Sequence, residues 1–164
     1  MNELKAVLFG LNDIACGVDS SQVHEIVKFQ EISKVPNMPK FIEGMINLRG
    51  KVIPIVNLNR RFELGETPIN KKTKIIITKI DETFIGFLVN EVSEITKFSS
   101  DNLEEPSEIL RKINNTYIKC VGIIEERIII ILDFAAILSD NELKMVNGST
   151  LNSKLNTEEN LVTV

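Results

Sequence analysis

Lys5 to Phe29 reads KAVLFGLNDIACGVDSSQVHEIVKF, and Lys74 to Phe98 reads KIIITKIDETFIGFLVNEVSEITKF. The two stretches are each 25 residues long and align without a gap. Lys5 matches Lys74 and Gly17 matches Gly86. Val23-x-Glu25-Ile26-x-Lys28-Phe29 matches Val92-x-Glu94-Ile95-x-Lys97-Phe98. A shared ending in register with an upstream apolar run marks an internal duplication. A looser match comes after each copy, Val52 to Leu58 against Ile128 to Phe134, in which an apolar run meets a polar cap and a short helical pattern. Each half therefore predicts strand, turn, strand, short helix, then a hairpin and a closing helical turn. About five short strands per half suit a small closed barrel, which leaves few exposed edges. Two barrels side by side predict a groove between them, a common place for binding.

Outward from the repeat, the apolar residues favour strands. Leu4 to Leu11, Val52 to Val56, Lys74 to Ile80, Thr83 to Val89, Ile118 to Ile124 and Ile128 to Leu132 are rich in Ile and Val, whose β-branched side chains fit a pleated surface. Asn12-Asp13, Arg49-Gly50, Asp81-Glu82 and Glu125-Glu126 read as hairpin turns. The unbroken Ile128 to Leu132 run predicts a strand covered on both faces. Helical signals are few. Ser20 to Ile26 opens with a capping residue type and spaces apolar residues three apart. Leu58 to Phe62 predicts a single turn, and Asp133 to Leu138 reads as the start of a second helix, with Asp133 as its N-cap. Residues 99 to 117 read as a loop with one turn near Glu108 to Lys112. Residues 141 to 146 have helical character, and 147 to 164 read as a disordered or frayed tail.

Composition narrows the function. The formal net charge is −4, and no basic stripe is visible, which argues against nucleic acid. The N-terminus has no signal-peptide pattern, and no apolar run approaches the length of a membrane span, so a cytoplasmic, soluble protein is expected. Cys16 and Cys120 each sit in an apolar run and read as buried reduced thiols. The one histidine, His24, has no second ligand or catalytic partner nearby and reads as a solvated helix residue. There is no phosphate loop, nucleophile elbow or cysteine pair. No catalytic residue, metal site or cofactor is expected.

The unusual local stretch is Phe41 to Phe62, FIEGMINLRGKVIPIVNLNRRF. Gly50 is placed to turn a hairpin at positive φ, setting Asn47 and Arg49 at its tip. Arginine grips carboxylates in a fixed fork and is enriched at interface hot spots; an ordinary exposed arginine fits the pattern equally well.

Pro36-Asn37-x-Pro39-x-Phe41-Ile42-x-Gly44-x-Ile46-Asn47-Leu48-Arg49-Gly50-x-Val52-Ile53-Pro54-Ile55-Val56 resembles the signature of the CheW-type coupling domain. Val23-x-Glu25-Ile26, Ile85 to Val89 and Ile129 to Asp133 resemble the same family, so the likeness runs from about residue 4 to 140. It implies a mainly β fold of two five-stranded SH3-like barrels, with residues 1–146 as one CheW-like domain. It also implies a non-catalytic chemotaxis adaptor that couples chemoreceptor cytoplasmic tips to the regulatory domain of the histidine kinase CheA in signalling arrays. Other CheW-like domains are further implied partners, and contact with the membrane would come only through receptors. By motif position, the receptor- or kinase-binding surface would include Val23, Glu25, Ile26, Gly44, Asn47 and Arg49, with Glu25 and Arg49 as an ion pair. Asn57 and Asn90 stand where the family favours Asp, which puts a charge-dependent contact there in doubt. The same domain could serve another motility or gene-control array. A barrel enzyme or small-ligand protein is the competing class, and no motif supports it.

Overall fold

A computed structural model describes residues 3–107 and 117–146. Eleven strands are present among them: β1 Leu4–Leu11, β2 Ile14–Asp19, β3 Glu25–Lys28, β4 Ile42–Leu48, β5 Lys51–Asn57, β6 Lys74–Ile80, β7 Thr83–Val89, β8 Glu91–Phe98, β9 Leu103–Glu104, β10 Ile118–Ile124 and β11 Arg127–Leu132. One sheet has the order β8-β1-β2-β11-β10-β9, and the other β3-β6-β7-β5-β4. Among the described residues, helix is limited to α1 (Leu58–Arg61), α2 (140–146) and three 3-10 turns. The expected turn near Glu108 to Lys112 and the tail from residue 147 lie outside the described residues.

The duplication is visible in the topology, with an exchange between the halves. β3 leaves the β1–β2 hairpin and pairs with β6, Glu25 opposite Ile77 and Lys28 opposite Lys74. β8 leaves the β6–β7 hairpin and pairs with β1, Glu94 opposite Leu8 and Lys97 opposite Lys5. Each barrel is thus built from the hairpin of one repeat and the third strand of the other. Parallel pairing is reciprocal too: Ile55 of β5 lies opposite Gly86, and Ile131 of β11 opposite Gly17. The five-stranded sheet closes through the bridge from Ser33 to Met45. The other closes where β8 runs through a 3-10 turn, Ser100–Asn102, into β9 beside β10.

Three apolar clusters arise from strand alternation. Leu4, Ala6 and Leu8 fill one barrel with Phe98, Cys120, Ile129 and Ile131. Ile75 and Ile77 fill the other with Ile46, Ile53, Ile55 and Leu88. The opposite faces, including Val7, Phe9, Leu11, Ile76, Phe87 and Leu132, meet Phe134 in a cluster between the sheets. The expected groove between barrels is therefore largely filled by core. This double burial explains why β1 and β6 lack polar alternation. Both cysteines are buried, and burial pushes the Cys16 thiol up to about 12. Gly17 and Gly86 match because a Cβ at either would lie 2.9 Å from Ile131 Cδ1 or 2.6 Å from Ile55 Cδ1.

One helix expected from sequence is replaced by strand, and the one expected from Asp133 to Leu138 is reduced to a 3-10 turn, Phe134–Ala136. Ser20 to Ile26 forms only a 3-10 turn, Ser20–Gln22, capped by Asp19, whose carboxylate accepts the Ser21 N–H at 2.9 Å. Val23 is already extended, and β3 begins at Glu25. The open edge of β6 outweighs the three-residue apolar spacing, because tertiary strand pairing overrides weak local propensity. The matching segment of the second repeat is likewise strand, β8.

Candidate partner-binding face

Arg49 and Gly50 form the two-residue tip of the β4–β5 hairpin, between the pair Leu48 and Lys51. Their φ values are 51° and 87°, the doubly positive combination of a type I′ turn, whose twist matches the strands it joins. Asn47 Oδ1 accepts the Gly50 N–H at 2.9 Å and braces the tip. Arg49 reaches across to Glu25, the first residue of β3, and its Nη2 donates to Glu25 Oε1. The arginine side chain remains 68% exposed. Alternation puts Glu25 on the side of Val27 and Phe29, at the mouth of the five-stranded barrel, while Ile26 points outward and is 38% exposed.

The structure therefore brings Glu25, Asn47 and Arg49 together at one end of this barrel, with Ile26 on the adjoining outer face. Val23 and Gly44 sit differently. Val23 packs against the cluster between the sheets. Gly44 is buried at a β4 bulge with φ of 148°, and a Cβ there would stand 2.1 Å from the Ser33 carbonyl oxygen. Its position serves the closure of the barrel through Ser33.

Sequence reasoning missed several neighbours. Lys51 Nζ lies 4.4 Å from the Phe84 ring centroid, and the exposed His24 meets that ring edge-on at 4.8 Å. Gln22 ties the 3-10 turn before β3 to the other repeat: its Nε2 donates to Asp133 Oδ1 at 2.7 Å, and its Oε1 accepts the Phe134 N–H at 2.9 Å. Strand parity alone would have found Lys51 and Phe84 once β3 was read as a strand. Nothing local signals the Gln22 clamp, whose partner is 111 residues away.

Asn57 and Asn90 belong to one amide network. Asn57 Oδ1 accepts the Arg60 N–H at 3.2 Å and caps α1, while its Nδ2 donates to Glu43 at 3.2 Å. Asn59 Nδ2 donates to Asn90 Oδ1 at 2.8 Å, and Asn90 Nδ2 donates to Asn12 at 3.1 Å. Asn57 and Asn90 each donate and accept, which an ionised Asp cannot do. The two departures from the family pattern are thus absorbed together, in hydrogen bonds that join α1, β7 and the β1–β2 turn. Among the described residues no group of His, Cys, Asp and Glu is placed to hold a metal, and no helix is long and apolar enough to cross a membrane.

A duplicated double barrel with an exposed, charged hairpin tip defines a scaffold class, built to present surfaces to other proteins. The chain belongs to the CheW-like domain family, whose model matches residues 5–142. It is 28% identical over 146 residues to the chemotaxis protein CheW of Treponema pallidum, covering 87% of this chain and 86% of that one. It is 31% identical to the Bacillus subtilis chemotaxis protein CheW, covering 82% and 86%. The crystal structure of the scaffolding protein CheW from Thermoanaerobacter tengcongensis superposes with a TM-score of 0.77 at 34% identity, covering 87% and 91%. Membership makes this chain a non-catalytic chemotaxis scaffold of the CheW family.

Proposed function

We propose that this chain is a cytoplasmic adaptor coupling chemoreceptor tips to the regulatory domain of the histidine kinase CheA, and that the β4–β5 tip with the start of β3 is a docking face. The observation that carries this is Arg49. A bulky residue is held at positive φ, largely exposed, with its guanidinium on Glu25. Left-handed backbone at a non-glycine residue costs roughly 1–2 kcal/mol, whereas an exposed ion pair returns at most about 1 kcal/mol. The other hairpin tips, Asp81-Glu82 and Glu125-Glu126, also hold non-glycine residues at positive φ, so what sets Arg49 apart is an exposed guanidinium beside Glu25, a group suited to gripping a partner's carboxylate. Family membership supplies the pathway.

The test is reconstitution with receptor and kinase, reading whether kinase activity comes under receptor control. Arg49→Glu and Ile26→Asp are expected to abolish that control while circular dichroism stays native. Ile26 is a cleaner choice than Val23, whose partial burial would confound binding with folding. Native binding and full control by both variants would sink the assignment of this face. Failure of the wild-type chain to bind either partner would sink the adaptor reading itself.

A further inference from the structure

The inward-facing positions at one end of the five-stranded barrel are Glu25 on β3, Lys79 on β6, Phe84 on β7, Lys51 on β5 and Leu48 on β4. Alternation relates each to an interior neighbour such as Val27, Ile77, Leu88, Ile53 or Ile46. Two lysines at inward positions are unusual in strands whose other inward residues are isoleucine. Both turn onto one ring: Lys51 Nζ is 4.4 Å and Lys79 Nζ 5.7 Å from the Phe84 centroid. Beside Lys51 and Phe84 a hollow of about 180 Å³ reaches down to Ile53 and Ile77, with Arg49, His24 and Glu25 also lining it. Its size suits a side chain, and barrel mouths are recurrent binding places.

The opposite barrel provides the internal comparison. Its matching mouth positions are Glu94, Gly10, Ala15, Arg127 and Ile124, and its hairpin tip is Glu125-Glu126. The duplication has therefore diverged in charge. One mouth holds Arg49 paired with Glu25, Lys79 paired with Glu82 at 3.2 Å, and Lys51, a net excess of one positive charge; the other is acidic. The cations stand together in a chain whose formal net charge is −4, so the local field opposes the global one. An ammonium over an aromatic face keeps the rest of its hydration sphere free for a second, anionic partner.

We infer that this mouth recognises a carboxylate on the docking protein: an acidic segment whose Asp or Glu seats beside Phe84, between Lys51 and Lys79, next to an apolar side chain over Ile53 and Ile77. The inference rests on the reading of this end as a docking face and adds the chemistry it selects.

The full chain is titrated against a chemoreceptor cytoplasmic-tip fragment at low and at physiological salt. Lys51→Glu with Lys79→Glu weakens binding about tenfold at low salt, as expected for two partly exposed charge contacts, and the difference shrinks as salt screens them. Lys51→Gln with Lys79→Gln falls between that variant and wild type. Lys5→Glu with Lys97→Glu, an equal charge change at exposed cross-strand positions of β1 and β8, stays within about twofold. Changing acidic tip residues to Lys restores affinity to the doubly acidic variant. Wild-type affinity in both lysine variants while Arg49→Glu is impaired would overturn the inference and leave the adaptor reading standing. So would an equal loss from Lys5→Glu with Lys97→Glu, or no rescue by any reversed tip residue. If lysine reversal changes only self-association, the recognised acid lies on a second copy and the inference falls. Absence of wild-type binding overturns both readings.

Discussion

Gly44, Gly86 and Gly50 are required for different reasons, and substitution separates them. Gly44 combines φ of 148° with a backbone oxygen 2.1 Å from where a Cβ would sit. Backbone does not rotate away, so Gly44→Ala is expected to cost more than about 3 kcal/mol. At Gly86 the nearest atom is the tip of Ile55, at 2.6 Å. A side-chain end can move, so Gly86→Ala is expected to cost about 1–3 kcal/mol, the usual scale for overpacking. Gly50 has φ of 87° and open space around it, so Gly50→Ala is expected to cost only about 1 kcal/mol. Urea midpoints for the three variants check the order, and a Gly50→Ala cost above that of Gly44→Ala would contradict it. The glycine match at Gly17 and Gly86 was legible in the repeat. Its cause was not, because the nearest colliding isoleucine lies 114 residues from Gly17 and 31 from Gly86.

Among the elements, β3 depends most on its surroundings. It has four residues, pairs on one side with β6, and starts at a 3-10 turn. Gln22 secures that turn to Asp133 and Phe134 of the second repeat, and Asp133 also caps its own 3-10 turn by accepting the Ala135 N–H at 3.0 Å. Removing Gln22 breaks two hydrogen bonds, so Gln22→Ala is expected to cost about 1–3 kcal/mol. Because Asp133 shares one of them, Gln22→Ala and Asp133→Ala should be non-additive by roughly 0.5–1.5 kcal/mol. A double-mutant cycle in denaturant measures this, and strict additivity would contradict the coupling. The replacement of the expected helix by strand has the same origin. Ser20 to Gln22 contains a true turn signal, which the structure uses for only one turn. Beyond that turn β6 decides the conformation, because its edge accepts Glu25 to Lys28. No local pattern distinguishes a short amphipathic helix from a half-buried edge strand when the apolar residues are this few.

At the scale of the whole molecule, the exchanged strands and the shared cluster make two barrels one cooperative unit. β1 needs β8 and β6 needs β3, and Phe134 packs on Phe9 and Phe87 from both repeats, with centroids 5.8 and 4.5 Å away. Thermal unfolding is therefore expected to be a single transition that coincides in far-ultraviolet circular dichroism and tyrosine fluorescence. A fragment ending before β6, or one beginning at β6, should not fold alone. A native spectrum from either fragment, or two resolved transitions, would count against this unity. The duplication, most strand positions, the hairpin turns and the Arg49-Gly50 tip are legible in the residues alone. These rest on local chemistry: β-branched runs, turn residues and an in-register repeat. It took the packed fold to show that the third strand of each repeat crosses to the other barrel, that Gly44 and Val23 are turned toward the interior, and that Lys51, Lys79 and Phe84 share a mouth with Arg49. Those outcomes depend on which strand edge is open and which face is covered, and partners distant in the chain settle both.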